Sequence, residues 1–190
     1  MKYAVLLYSL VFTILTLLSV LDSIEPPETS KYIASTSLRT GDILLFGECA
    51  VLKTLQMSPY SHAAVCVLNR KNIPYSLEIG PKHGCATLTP VKDLSKNIRV
   101  RKISRQIDLK AALQYIYLVR YTCYKLPLLK ASFCLRLGSD DLFCSSLVSG
   151  FFIFTGVMPA TTMNYLPKDF ALRIPTKNGY SFGPVISLRS

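Results

Sequence analysis

The chain has 190 residues, 50% of them hydrophobic and 17% charged, with 22 basic against 11 acidic side chains and a net charge of +11. About 160 residues remain once an apolar N-terminal segment is set aside, which suits one domain with a real core rather than several. The mean hydropathy of +0.33 is high for a soluble domain, and the basic excess lacks the zinc spacing, RNP-like run or basic zipper that nucleic-acid recognition requires.

Much of the hydropathy sits at the start. The run YAVLLYSLVFTILTLLSVL, Tyr3 to Leu21, holds nineteen residues without a charge. As a helix it would span about 28 Å, close to the hydrocarbon core of a bilayer. A cleaved signal is the rival reading. Signal peptides usually have a shorter apolar region and a small-x-small cleavage site, and LSVLDSIEPPE offers no clear one. The expectation is therefore a single-pass anchor over residues 1–24. Lys2 precedes the span while Asp22, Glu25 and Glu28 follow it, so positive charge places the domain on the extracytoplasmic or lumenal side. A polar, proline-bearing linker over residues 25–37 then leads into a domain over residues 38–190.

In that domain, Thr40-Gly41-Asp42 reads as a turn feeding a buried strand, Ile43 to Phe46. The stretch CAVLKTLQM suits a short helix. Two strands follow, Ala63 to Leu68 and Tyr75 to Ile79, joined by a hairpin turn at Asn69-Arg70-Lys71-Asn72. CATLTPVKDL and NIRVRKI give further extended segments. The period then changes. Apolar residues at 109, 112, 113, 116 and 119 predict a helix with Asp108 as its N-cap. A second helix runs through DDLFCSSLVSGFFIFTGV, with Asp140 or Asp141 capping its start and Gly156 near its end. The proline-marked MPATTMNYLPKDFALRI ends in a short extended piece. The fold class is α+β.

The basic run Lys96 to Arg105 reads as a solvated strand and loop. Attraction to anionic lipid headgroups is the second reading, since an anchor would already hold the domain at a membrane. Six cysteines stand at 49, 66, 85, 123, 134 and 144, an even count that allows disulfides, but the spacing is irregular and there is no C-x-x-C. Only two histidines exist and no Cys/His set has ligand spacing, so no metal or cofactor is expected.

Thiol chemistry needs a cysteine, a base, a group that orients the base, and donors for an oxyanion. Cys144 falls in the first turn of the second helix, where free N–H groups and the helix dipole lower a thiol's pKa. The bland reading is a buried helical thiol. His62 begins a strand and can face a cleft, although a lone histidine there is more often structural. His83, in GPKHGCA, reads as an exposed loop residue. Glu78 interrupts an apolar strand, where a carboxylate is costly to bury unless paired. It could hold the His62 imidazole in one tautomer, or simply face solvent.

The order TGDILLF, SHAAVCV, LEIGPKHGCATLTPVKDL and DLFCSSLVSG resembles the circularly permuted papain-like hydrolases of the NlpC superfamily, the YiiX-like branch in particular. The likeness covers about residues 38 to 157. It implies an antiparallel sheet or barrel packed against helices, with Cys144 as nucleophile, His62 as general base and Glu78 as the orienting residue. It also places Tyr124 in the lining of the cleft. The sequence departs from the pattern at Ser146, where the family often has Glu. It also lacks the Asn-Cys-Glu-His form of the vertebrate lipid acyltransferases. The function implied is a membrane-anchored cysteine hydrolase acting on amide or ester acyl bonds of a peptide or lipid. Two other readings stand beside it: a catalytically silent tethered protein of the same fold, and a disulfide-stapled secreted domain in which Cys144 is paired. A lipid acyl hydrolase or transferase is a variant of the first.

Overall fold

The computed structural model describes residues 32–47, 58–80, 84–94, 97–122, 144–160, 165–172 and 174–189. Their strands are β1 (Tyr32–Ala34), β2 (Ile43–Phe46), β3 (His62–Leu68), β4 (Pro74–Ile79), β5 (Ala86–Pro90), β6 (Ile98–Ile103) and β7 (Phe182–Arg189). They form one sheet in the order β1-β7-β6-β2-β3-β4-β5. β1 runs parallel to β7, and every other pair is antiparallel. The helices are α1 (Leu109–Val119), α2 (Cys144–Phe154) and the one-turn α3 (Pro167–Ala171). The architecture is mixed α+β.

β2 lies at the centre of the sheet and is buried on both sides. Ile43 and Leu45 join a core that includes Val65, Leu77 and the helices, while Leu44 and Phe46 face a second core with Ala64, Cys66 and Val100. That is why its sequence is a continuous apolar run rather than an alternating one. The Thr-Gly-Asp turn before it is as expected. Gly41 takes φ of +100°, a conformation that favours glycine. Asp42 is fully buried and accepts from the backbone N–H groups of Arg39 (2.8 Å) and Ile103 (3.0 Å) and from Lys102 Nζ (2.7 Å). One carboxylate thus ties the turn to β6.

The hairpin between β3 and β4 also forms where the turn residues predict it. Asn69 Oδ1 accepts from the N–H groups of Lys71 and Ile73, and Asn72 adopts φ of 58°. The α1 cap is as expected, with Asp108 Oδ2 accepting from Ala111 N at 3.1 Å. The buried stripe of α1 differs from the predicted one. It runs through Ala112, Tyr115 and Val119, and Leu113 points outward. Tyr115 replaces it because its hydroxyl finds a buried acceptor, donating to Leu147 O at 2.9 Å. The same ring fills the space over Gly150, where an added Cβ would stand 2.5 Å from the Tyr115 oxygen.

α2 ends on Gly156, at φ of +77°. Its N–H bonds Ile153 O and the N–H of Val157 bonds Phe152 O, the paired pattern of a Schellman cap. Three elements have no counterpart in the sequence reading. The one-turn helix α3 forms at Pro167–Ala171, in the stretch read as proline-marked and ending in an extended piece. Tyr32–Ala34, within the stretch read as linker, forms edge strand β1. β7 forms despite carrying Gly183 and Pro184.

Several expectations fall on residues outside those described: the anchor over residues 1–24, the short helix over residues 49–57, the caps at Asp140 or Asp141, and Cys49, Cys123 and Cys134. Among the described residues, no helix is long and apolar enough to cross a membrane.

Candidate functional site

The site lies where β3 begins. Ser61 fixes the entry: its N–H donates to Phe46 O at 2.8 Å, so the chain joins β2 one residue before His62. His62 pairs with Phe46 in the ladder, and the two rings lie with centroids 5.3 Å apart. Cys66 pairs with Ser76 and Val65 with Leu77. Continued toward the start of β3, that register sets His62 opposite Gly80 and diagonal to Glu78, on one face of the sheet and within reach of long side chains. The His62 ring lies alongside the Gly80 backbone, where an added Cβ would stand 4.0 Å from His62 Cε1, at ordinary contact distance.

His62 Nε2 lies 3.1 Å from Glu78 Oε2. Glu78 is buried, at 8% exposure, so its charge needs this partner. The second bond of the imidazole goes to Cys144. With Nε2 taken by Glu78, Nδ1 is the nitrogen left for the sulfur. Backbone hydrogen bonds from Ala63 and Ser145 also reach Cys144, which opens α2 and is partly exposed.

These contacts decide the protonation states. Burial alone would raise the Cys144 thiol. The charge of His62, its hydrogen bond, and the backbone bonds from Ala63 and Ser145 outweigh burial and hold the thiol below its ordinary range. Burial alone would lower His62. The charge of Cys144 and its hydrogen bond, followed by the bond and charge of Glu78, push the imidazole up to about 10. The two opposite shifts favour the thiolate and imidazolium form of the pair.

Of the three residues expected to act together, His62 therefore stands between the other two, bonded to Glu78 on one side and to Cys144 on the other. Cys66, read as a small buried hydrophobe, is fully buried, and burial pushes its thiol upward. Among the described residues, Cys66, Cys85 and Cys144 are free thiols, against the reading in which Cys144 is part of a disulfide. Tyr124 and His83 lie outside the described residues. Sequence reasoning did not single out Phe46, whose ring flanks His62, or the backbone of Ala63. The hairpin register carried a signal for both, because Phe46 and Ala63 are the neighbours of any residue that opens β3.

Three cations of the basic run turn inward. Arg99 donates to Ser187 Oγ. Arg101 reaches the carbonyls of Gly183 (2.8 Å), Phe170 (3.0 Å) and Leu172, and Lys102 holds Asp42. They serve the fold by tying β6 to β7, α3 and the turn before β2. Among the described residues, no group of three His, Cys, Asp or Glu side chains is placed to hold a metal ion.

No family model matches the chain, and no curated protein matches it.

Proposed function

We propose that this chain is a cysteine hydrolase of the thiol peptidase or amidase type, with the permuted papain-like fold that its motif order resembles. One observation carries the reading: a single imidazole bonds both a free, partly exposed thiol at the start of a helix and a buried carboxylate. A core thiol has no use for that arrangement, and burial alone would keep it protonated.

The chemistry is acyl transfer. The Cys144 thiolate attacks the carbonyl carbon of an amide or ester, and the C=O electrons move to oxygen. Backbone N–H groups in the first turn of α2 donate to that oxyanion. As the tetrahedral species collapses, the His62 imidazolium gives its proton to the leaving amine or alkoxide, and a thioester remains. His62, now neutral, takes a proton from water. The hydroxide formed attacks the thioester, the acid leaves, and the thiolate–imidazolium pair returns. Glu78 acts through His62. It accepts from Nε2, aims Nδ1 at the sulfur and stabilises the charged ring. The apolar run Tyr3 to Leu21 would hold this domain at a membrane, so peptide-like and lipid acyl bonds are both within its substrate class.

The test is an electrophilic, cysteine-directed activity probe on the full chain. Labelling should be lost in Cys144→Ala and fall sharply in His62→Ala. Labelling that persists without Cys144, or is indifferent to His62, overturns the assignment.

A further inference from the structure

The outward face of α1 carries large apolar residues alongside Lys110 and Gln114, where a surface helix is usually polar. Leu113 is 44% exposed, Tyr117 62% and Leu118 63%, and Tyr121, in the turn just past the end of α1, is 80%. The inward face is apolar too, with Ala112, Tyr115 and Val119 buried. A helix that is hydrophobic on both sides normally has cover on both sides. Phe154, 45% exposed at the end of α2, extends the patch. Together with Leu113, Tyr117 and Leu118 it lines an open groove of about 810 Å³ whose charged members are Arg70 and Lys110, with no acid among the lining residues. Exposed apolar surface of this kind, contiguous and rimmed by charge of one sign, marks an interaction site.

The rim defines the occupant. Arg70, Lys110 and Arg120 are exposed cations along this face. Arg120 stacks over Tyr117 at 3.7 Å and Tyr121 at 4.6 Å from the ring centroids. Leucines flanked by tyrosines and cations suit the boundary between acyl chains and headgroups, where aromatic rings sit at headgroup level and basic side chains meet anionic lipid. We infer that the exposed face of α1 docks on an anionic lipid bilayer, with Leu113, Leu118 and Phe154 at the acyl boundary and Arg70, Lys110 and Arg120 on the headgroups.

The docking face runs between two ends of the sheet. Arg70 lies in the β3–β4 hairpin, at the end of β3 away from His62. Past the other end of α1, Thr122 O accepts from Ala86 N, and Ala86 pairs with Ile79 beside Glu78. A helix lying flat on a bilayer would therefore hold the sheet end that carries the site close to the membrane. The headgroup contact moves with it, from the inward-turned cations of β6 to α1.

The inference rests on the membrane reading of the N-terminal segment, and the test separates the two. The chain contains no tryptophan, so Leu118→Trp and Tyr121→Trp each introduce a single reporter on the face. Leu172→Trp, at a position 64% exposed beyond the end of α3, is the comparison. Each full-length variant is reconstituted into vesicles of phosphatidylcholine with or without phosphatidylserine. With anionic lipid, both face reporters should shift to the blue and be quenched by brominated acyl chains, while Leu172→Trp does neither. Arg70→Glu, Lys110→Glu and Arg120→Glu together should lower the docked population by on the order of 100-fold. Face reporters that stay water-like while the chain floats with the vesicles overturn the docking face and leave the anchor standing. A blue shift without lipid that grows with protein concentration overturns it in favour of a second copy of the chain. A chain that does not float with vesicles removes the membrane reading and the docking face together.

Discussion

Glu78 Oε2 and His62 Nε2 lie 3.1 Å apart on neighbouring strands, and this contact determines how the imidazole presents itself to Cys144. The carboxylate is a positioning group, since it touches the base rather than the thiol. Glu78→Ala should lower turnover by about 10²-fold, the low end of what a positioned acid–base group supplies. Glu78→Gln keeps an oxygen acceptor for Nε2–H but loses the negative charge. It should retain more activity than Ala, while the pKa of His62, followed by NMR of the ring, moves down. A His62 titration unchanged in both variants would remove Glu78 from the site.

The opposite shifts of Cys144 and His62 predict a pH profile. Alkylation by iodoacetamide follows the thiolate. In the native chain the Cys144 rate should rise with pH through a value below the ordinary thiol range, because the folded thiol is held down. It should then stay level across neutral pH until His62 loses its proton near 10. In His62→Ala the charge and hydrogen bond of the imidazole are gone while burial remains, so the rise should move to a higher pH than in the native chain. A profile identical in the two proteins would show that the pair does not form in solution.

Asp42 carries the turn that opens the domain. It is fully buried, holds Lys102 and takes two backbone N–H groups from separate segments. Asp42→Ala should cost about 3 kcal/mol, the lower end for breaking a buried pair, because Lys102 is partly exposed and can turn to water. Urea unfolding of the two proteins measures it. Activity per folded molecule should be little changed, which separates this acid from Glu78.

The contrast between these two acids shows what the sequence made legible. Asp42 lies in a Thr-Gly-Asp turn before an apolar run, a pattern that local chemistry alone reads as structure. The β3–β4 hairpin, the Asp108 cap and the Gly156 terminus were legible for the same reason, since each is set by residues close in the chain. The partnership of Cys144, His62 and Glu78 depends on strand register and on a helix far along the chain, and only the order of the motifs suggested it. β7 was hidden by its own composition, because a Gly-Pro pair argues against a strand. Arg101 pairs with Val185 and Ile103 with Phe182, so Gly183 and Pro184 together oppose Lys102 in a bulge, where a proline's missing donor is tolerated. The stripe of α1 was misjudged at Leu113 because periodicity counts apolar residues. It does not see that a tyrosine with a buried acceptor packs inward and leaves a leucine outside.

The Tyr115–Gly150 contact gives the last prediction. α2 carries Cys144 at its start, and Tyr115 holds that helix through Leu147 O. A Cβ at residue 150 would meet the Tyr115 oxygen at 2.5 Å and its Cζ at 3.4 Å. Gly150→Ala should therefore destabilise by roughly 1–3 kcal/mol through overpacking, despite alanine's better helix propensity. Tyr115→Phe loses one hydrogen bond and leaves Leu147 O without this donor, costing about 1 kcal/mol. Removing the oxygen also removes the closest clash. The double variant should therefore be clearly more stable than the sum of the single changes allows, with a coupling on the order of 1 kcal/mol in a double-mutant cycle. Strict additivity in denaturant unfolding would mean that the two helices do not meet at this pair. A shift in the Cys144 alkylation rate in Gly150→Ala, but not in the double variant, would show that the contact also sets the seating of the thiol.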